Sequence, residues 1–149
     1  MSTSVKTVFL AGSAGSTTWR KDISVPMLQQ HNVRYYNPQV DDWSPDLIPI
    51  ENAEKQAAHV LLFVIDSATR SVMSMLEMVE YITTAMQHVV VCIEDIPDNH
   101  TIEGYVLNPR EISDLNRGRA YARDICERYG VPLSDSIAGA TLVAIGLCK

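Results

Sequence analysis

Cysteine is scarce in this chain, and the little there is has no pattern. Cys92, Cys126 and Cys148 lie far apart, with no CxxC pair among them. That spacing excludes a disulfide frame or a zinc knuckle and points to reduced thiols, so the cytoplasm is the expected compartment. The histidines His31, His59, His88 and His100 show no ligand spacing either, so no metal and no cofactor is expected. Long apolar runs are missing: none approaches the ~20 residues of a membrane span. The polar start, Met1–Thr7, lacks the apolar stretch of a secretory signal. Positive charge is in deficit, with 12 Lys and Arg against 18 Asp and Glu and a formal charge of −6. Such a balance argues against a surface built for a nucleic acid polymer. Gly12 and Gly15 are followed by no Gly-Lys-Ser/Thr and by no third glycine, which excludes a Walker loop and a full dinucleotide fingerprint. Internal repeats, low-complexity tracts and linkers are also absent.

What is present is the composition of a globular domain, 46% hydrophobic and 20% charged over 149 residues, read as one domain spanning 1–149. Five apolar segments rich in Val, Ile, Phe or Tyr read as strands: Val5–Ala11, Val33–Tyr36, Val60–Ile65, Val89–Ile93 and the short Val131–Leu133. The third and fourth are continuously apolar, as strands covered on both faces must be. Helical patterns fall between and after them, at Thr17–His31, Glu51–Ala58, Ser71–Gln87, Glu111–Tyr129 and Asp135–Cys148. Pro26 is expected to kink or break the first of these. Alternating strands and helices imply right-handed crossovers and an α/β fold. The arrangement expected is a flavodoxin-like, doubly wound, five-stranded parallel sheet in the order 2-1-3-4-5.

In such sheets ligands bind beyond the carboxyl ends of the strands, at the switch point. Three loops should meet there: Gly12–Thr18, Asn37–Pro49 and Asp66–Arg70. In the first, Gly12 and Ser13 let a backbone approach a ligand and offer donors. In the second, Asn37, Asp41, Asp42 and Trp43 combine acceptors with a flat aromatic surface, although this segment alone slightly favours a surface loop whose tryptophan packs on the domain. In the third, Asp66 ends a buried strand, and Asp66, Ser67 or Thr69 can simply cap the helix that follows. That helix carries Val72, Met75, Leu76, Val79, Ile82 and Met86 on a stripe expected to face the sheet. Glu77 lies about 100° past Leu76, at the flank of the stripe, with Ser74 one turn before it. Met73, Met75, Met78 and Met86 read as core filler.

These pieces together resemble the nucleoside 2-deoxyribosyltransferase-like family. The matching motifs, in family order, begin with Val8-Phe9-Leu10-Ala11-Gly12-Ser13, Trp19-Arg20, Tyr36-Asn37-Pro38 and Asp41-Asp42-Trp43. They continue with the strand entry Ala57–Asp66, Thr69-Arg70-Ser71, Ser74, Leu76-Glu77, Val89–Cys92 and Ile125–Pro132. The resemblance implies cleavage or transfer of the N-glycosidic bond of a 2′-deoxynucleoside or deoxynucleotide. In that chemistry a glutamate, here Glu77, forms a deoxyribosyl ester with retention. It further implies an acid for the leaving base, either Asp66 or a second-loop aspartate. Arg70, Ser71 and Ser74 would hold the sugar's 5′ end or its phosphate, and a homodimer or larger homo-oligomer is expected. His59 stands where transferases of this type often carry a base-contacting aspartate, which makes a non-catalytic nucleotide-binding module the second reading. The stretch Pro97–Asp114 has no counterpart in shorter members, and Asp114–Arg117 is placed to reach a neighbouring subunit.

Overall fold

The structure, a computed structural model, describes residues 5–149. Residues 1–4, part of the polar start, lie outside the described residues. β1 (Thr7–Gly12) leads to a π-helical turn at Arg20–Ser24, which runs into α1 (Val25–Gln30). The chain stays helical from Arg20 through Gln30, with the π-helical turn directly ahead of α1, so it is not broken at Pro26. The proline occupies the first turn of α1, and the wider turn ahead absorbs its missing N–H. β2 (Arg34–Tyr36) follows, then a 3-10 turn (Pro45–Leu47) leading into α2 (Ile48–Ala57). Next come β3 (Val60–Ile65), α3 (Val72–Thr84) and β4 (His88–Ile93). A hairpin of β5 (Thr101–Ile102) and β6 (Tyr105–Val106) precedes α4 (Pro109–Arg128), β7 (Leu133–Ser134) and α5 (Ile137–Leu147).

The main sheet has the order β2-β1-β3-β4-β7, every neighbouring pair parallel. With the hairpin set aside, this is the expected flavodoxin-like order. Alternation along the strands divides the core. Val8, Leu10, Leu62, Val64, Val90 and Cys92 pack with α1, α5 and Trp19 on one face. Phe9, Leu61, Phe63, Ile65, Val91 and Ile93 pack with α3 and α4 on the other. β3 is buried along its whole length. Among the described residues, no helix is long and apolar enough to cross a membrane.

Two expectations shift in detail, and a third segment takes a form that the sequence left unspecified. The last sheet strand is Leu133–Ser134, not Val131–Leu133, because Pro132 has no N–H to give to a ladder. The stripe of α3 is rotated: Met75, Met78, Val79 and Ile82 pack on the sheet, whereas Val72 and Leu76 are 56% and 62% exposed. Met78 therefore fills the core, while Met73 and Met86 are solvent-facing. Finally, the stretch after Ile96 folds back on its own chain. Ile96, Ile102, Leu107 and Ile112 form a small second core. A capping box between Asn108 and Glu111 starts α4, and the Asn116 amide brackets the backbone of Ile96.

His59 precedes β3 and meets His88 edge-on, with ring centroids 5.0 Å apart. Burial, then Lys6, then His88, push its pKa below the ordinary 6.5. The unfolded chain consequently binds more protons than the folded one just below that value, and stability falls as pH drops through it. His59→Gln is expected to flatten the loss of melting temperature between roughly pH 7 and 5. An equally steep loss in the variant would clear His59 of that role.

Candidate active site

A cleft of about 530 Å³ opens at the carboxyl end of β1. Its floor is Phe9, Ala11 and Gly12, with Gly15 and Arg20 beside them. Gly12 has φ +110°, and a Cβ there would lie 2.2 Å from the carbonyl oxygen of Val64. Only glycine lets β1 turn this close to β3. Ser13 then donates its N–H to Val64 O at 2.8 Å. One wall is the second loop, with Gln39, Asp41 and Trp43; the others are α2, with Glu51 and Lys55, and α3, with Glu77.

Glu77 Oε1 is 2.7 Å from Lys55 Nζ, and the two side chains are 36% and 14% exposed, respectively. The ammonium also lies 5.5 Å from the Phe9 ring centroid and 5.7 Å from that of Tyr81, so two aromatic faces and one carboxylate hold it in place. One turn earlier on α2, Glu51 Oε1 accepts from Trp43 Nε1 at 3.1 Å. Trp43 is nonetheless 49% exposed and leaves ring surface at the cleft.

Beneath the cleft, Arg20 is buried and caps the loop after β1. Its Nε donates to Leu10 O, its Nη1 to Ser13 O and Gln39 Oε1, and its Nη2 to Gly12 O, at 2.7–3.2 Å. Burial lowers its pKa to about 10, opposed by Asp66, Glu77 and Glu51, and it remains a cation at neutral pH. Arg119 of α4 does the same for the neighbouring loops, donating to the carbonyls of Glu94, Asp66 and Thr69.

Of the residues singled out from sequence, Gly12, Asp41, Trp43 and Glu77 line the cleft together. The others are placed elsewhere or face inward. Ser13 and Ser71 are buried and share a hydroxyl–hydroxyl contact, and Ser71 also bonds Thr69 Oγ1 at 2.8 Å. Ser71 starts α3 with a left-handed φ of 59°. Asp66 is buried behind these hydroxyls, accepting from the Thr17 hydroxyl and from Ala68 N–H, and is not part of the cleft lining. Trp19 is core, its Nε1 donating to Ser13 O. Asn37 closes a turn by accepting from Gln39 N–H. Arg70 lies 3.6 Å from Glu111 and over Tyr105, outside the cleft. Ser74 is half-buried on α3 and also outside the lining. His59 lines a separate cavity of about 250 Å³ with His88 and Met86 and is not part of the cleft lining.

Glu51 and Lys55 belong to none of the motifs or loops visible in the sequence, yet they stand four apart and so share a face of α2. Arg20, quoted only as part of a motif, lines the cleft as well. The family model described as nucleoside 2-deoxyribosyltransferase like matches residues 5–96, more than half of the chain. The chain belongs to the nucleoside 2-deoxyribosyltransferase-like family. Every cleft residue of this deoxyribosyltransferase-like chain, from Phe9 to Glu77, falls inside the matched segment. The hairpin, α4, β7 and α5 lie beyond it, as does Ile125–Pro132. No curated protein matches the chain. Membership points to a transferase-like enzyme with a nucleoside-type ligand.

Proposed function

We propose that the protein cleaves the N-glycosidic bond of a 2′-deoxynucleoside or deoxynucleotide, with Glu77 as nucleophile and either a second base or water as acceptor. The observation that carries this reading is the position of the Glu77 carboxylate. It lines a cleft of nucleoside-accommodating size together with a second carboxylate, Glu51, in the segment that matches the family. A carboxylate nucleophile splits one hard displacement into two easier ones through an oxocarbenium-like transition state.

The leaving base needs a proton. The buried Asp66 carboxylate accepts two hydrogen bonds and is absent from the cleft lining, whereas Glu51 and Asp41 line it. Glu51 is the better placed acid, since its indole partner Trp43 orients it and offers the departing base a flat surface. Incubation with 2′-deoxynucleosides and their 5′-monophosphates, with and without an acceptor base, tests the reading. Base release, or exchange of one base for another, is the expected result. Ligand-induced thermal stabilisation without released base would instead support a binding module.

A further inference from the structure

The ion pair between Lys55 and Glu77 has a consequence for the second half of the reaction, on the assumption that Glu77 is the nucleophile. We infer that Lys55 drives breakdown of the deoxyribosyl–Glu77 ester and so prevents the covalent intermediate from accumulating. Lys55 Nζ holds Oε1 at 2.7 Å, which leaves Oε2 to attack C1′. As the C1′–Oε2 bond forms, the C1′–N electron pair leaves with the base, which takes its proton from Glu51. Oε1 then becomes the carbonyl oxygen of a neutral ester, still beside the ammonium.

Lys55 is 14% exposed and packed against Phe9 and Tyr81, so water solvates its charge poorly once Glu77 is no longer anionic. In the second step water or an acceptor base attacks C1′ and loses its proton to the Glu51 carboxylate. The C1′–Oε2 pair returns to the carboxylate, and negative charge grows on Oε1 against the waiting ammonium. Lys55 thus stabilises the free carboxylate and the departing carboxylate more than it stabilises the ester. It acts on the lifetime of the intermediate, not on substrate affinity.

The experiment compares wild type, Lys55→Met and Lys55→Arg on a 2′-deoxynucleoside, with intact-protein mass spectrometry during turnover. Methionine keeps the apolar packing and removes the charge. In Lys55→Met, breakdown of the ester is expected to slow about tenfold to hundredfold, the scale of one lost hydrogen bond to a charged group. A burst of base equal to the enzyme concentration should appear, kcat and KM should fall together, and most of the protein should carry the deoxyribosyl mass. Lys55→Arg should recover faster breakdown and a smaller adduct fraction. Turnover by Lys55→Met with no more adduct than wild type, or with only KM raised, overturns the role of Lys55 alone. A wild-type protein that releases no base and forms no adduct overturns the proposed function and this role with it. If Lys55→Met does not fold, Lys55→Gln gives the same readouts.

Discussion

Glu77→Gln is expected to reduce base release by about 10⁴-fold or more, the scale seen when a covalent nucleophile is removed. Glutamine preserves the shape of the side chain and an oxygen for Lys55, so the variant separates chemistry from folding. Its melting temperature should fall by a few degrees, since Lys55 is only 14% exposed and loses its anionic partner, but the fold should persist. No deoxyribosyl mass should be found on the variant protein. Near-wild-type turnover by Glu77→Gln would remove the carboxylate from the mechanism, whatever the family match.

Glu51→Gln should be the second most damaging change, about 10³-fold in kcat/KM on ordinary deoxynucleosides, within the range for a positioned acid. The amide oxygen can still accept from Trp43 Nε1, so the indole stays where it is. The diagnostic is the leaving base. A 7-methylated purine already carries positive charge on its deoxynucleoside and departs without protonation, so its loss should be far smaller. Equal losses on both substrates would make Glu51 a binding group and leave the exposed Asp41 as the remaining cleft aspartate to test.

Strands were the most legible part of the fold, and for a clear reason. A strand buried on both faces, such as Val60–Ile65, needs an unbroken apolar run, and local sequence contains that information. The phase of α3 did not carry the same information. Val72, Met73, Met75, Leu76, Met78 and Val79 surround most of its circumference, so several stripes fit, and contact with β3 and β4 decides between them. Glu77 stands out through the ordered motifs that resemble a family, since the Leu76 used to place it at the flank of the stripe is itself exposed.

Glu51 and Lys55 escaped notice because their relevance depends on how α2 lies across Phe9, a relation between distant segments that no local pattern encodes. The polar residues Asp66, Ser13, Ser71 and Trp19 had the right chemistry and the right loops. Sequence gives a donor or an acceptor but not its partner, and here hydroxyls, carbonyls and amides of the chain itself occupy them. The hairpin at Thr101–Val106 has little signature in the sequence. Its turn depends on positive φ at Glu103 and Gly104, and glutamate there gives a weak turn signal.

The paired guanidinium caps of Arg20 and Arg119 have one more effect. Parallel strands that end together crowd their carbonyl oxygens toward the ligand side and make that region inhospitable to an anion. Two buried cations tied to carbonyls rather than to carboxylates offset that crowding, Arg20 at the edge of the cleft and Arg119 behind it. One cap gathers the loop after β1 and the other the loops after β3 and β4, so the cleft carboxylates Glu51 and Glu77 stand over loops whose carbonyls are already satisfied. The second loop is held to the first of these by one side chain, Gln39, which bonds Arg20 and the carbonyls of Gly15 and Thr17.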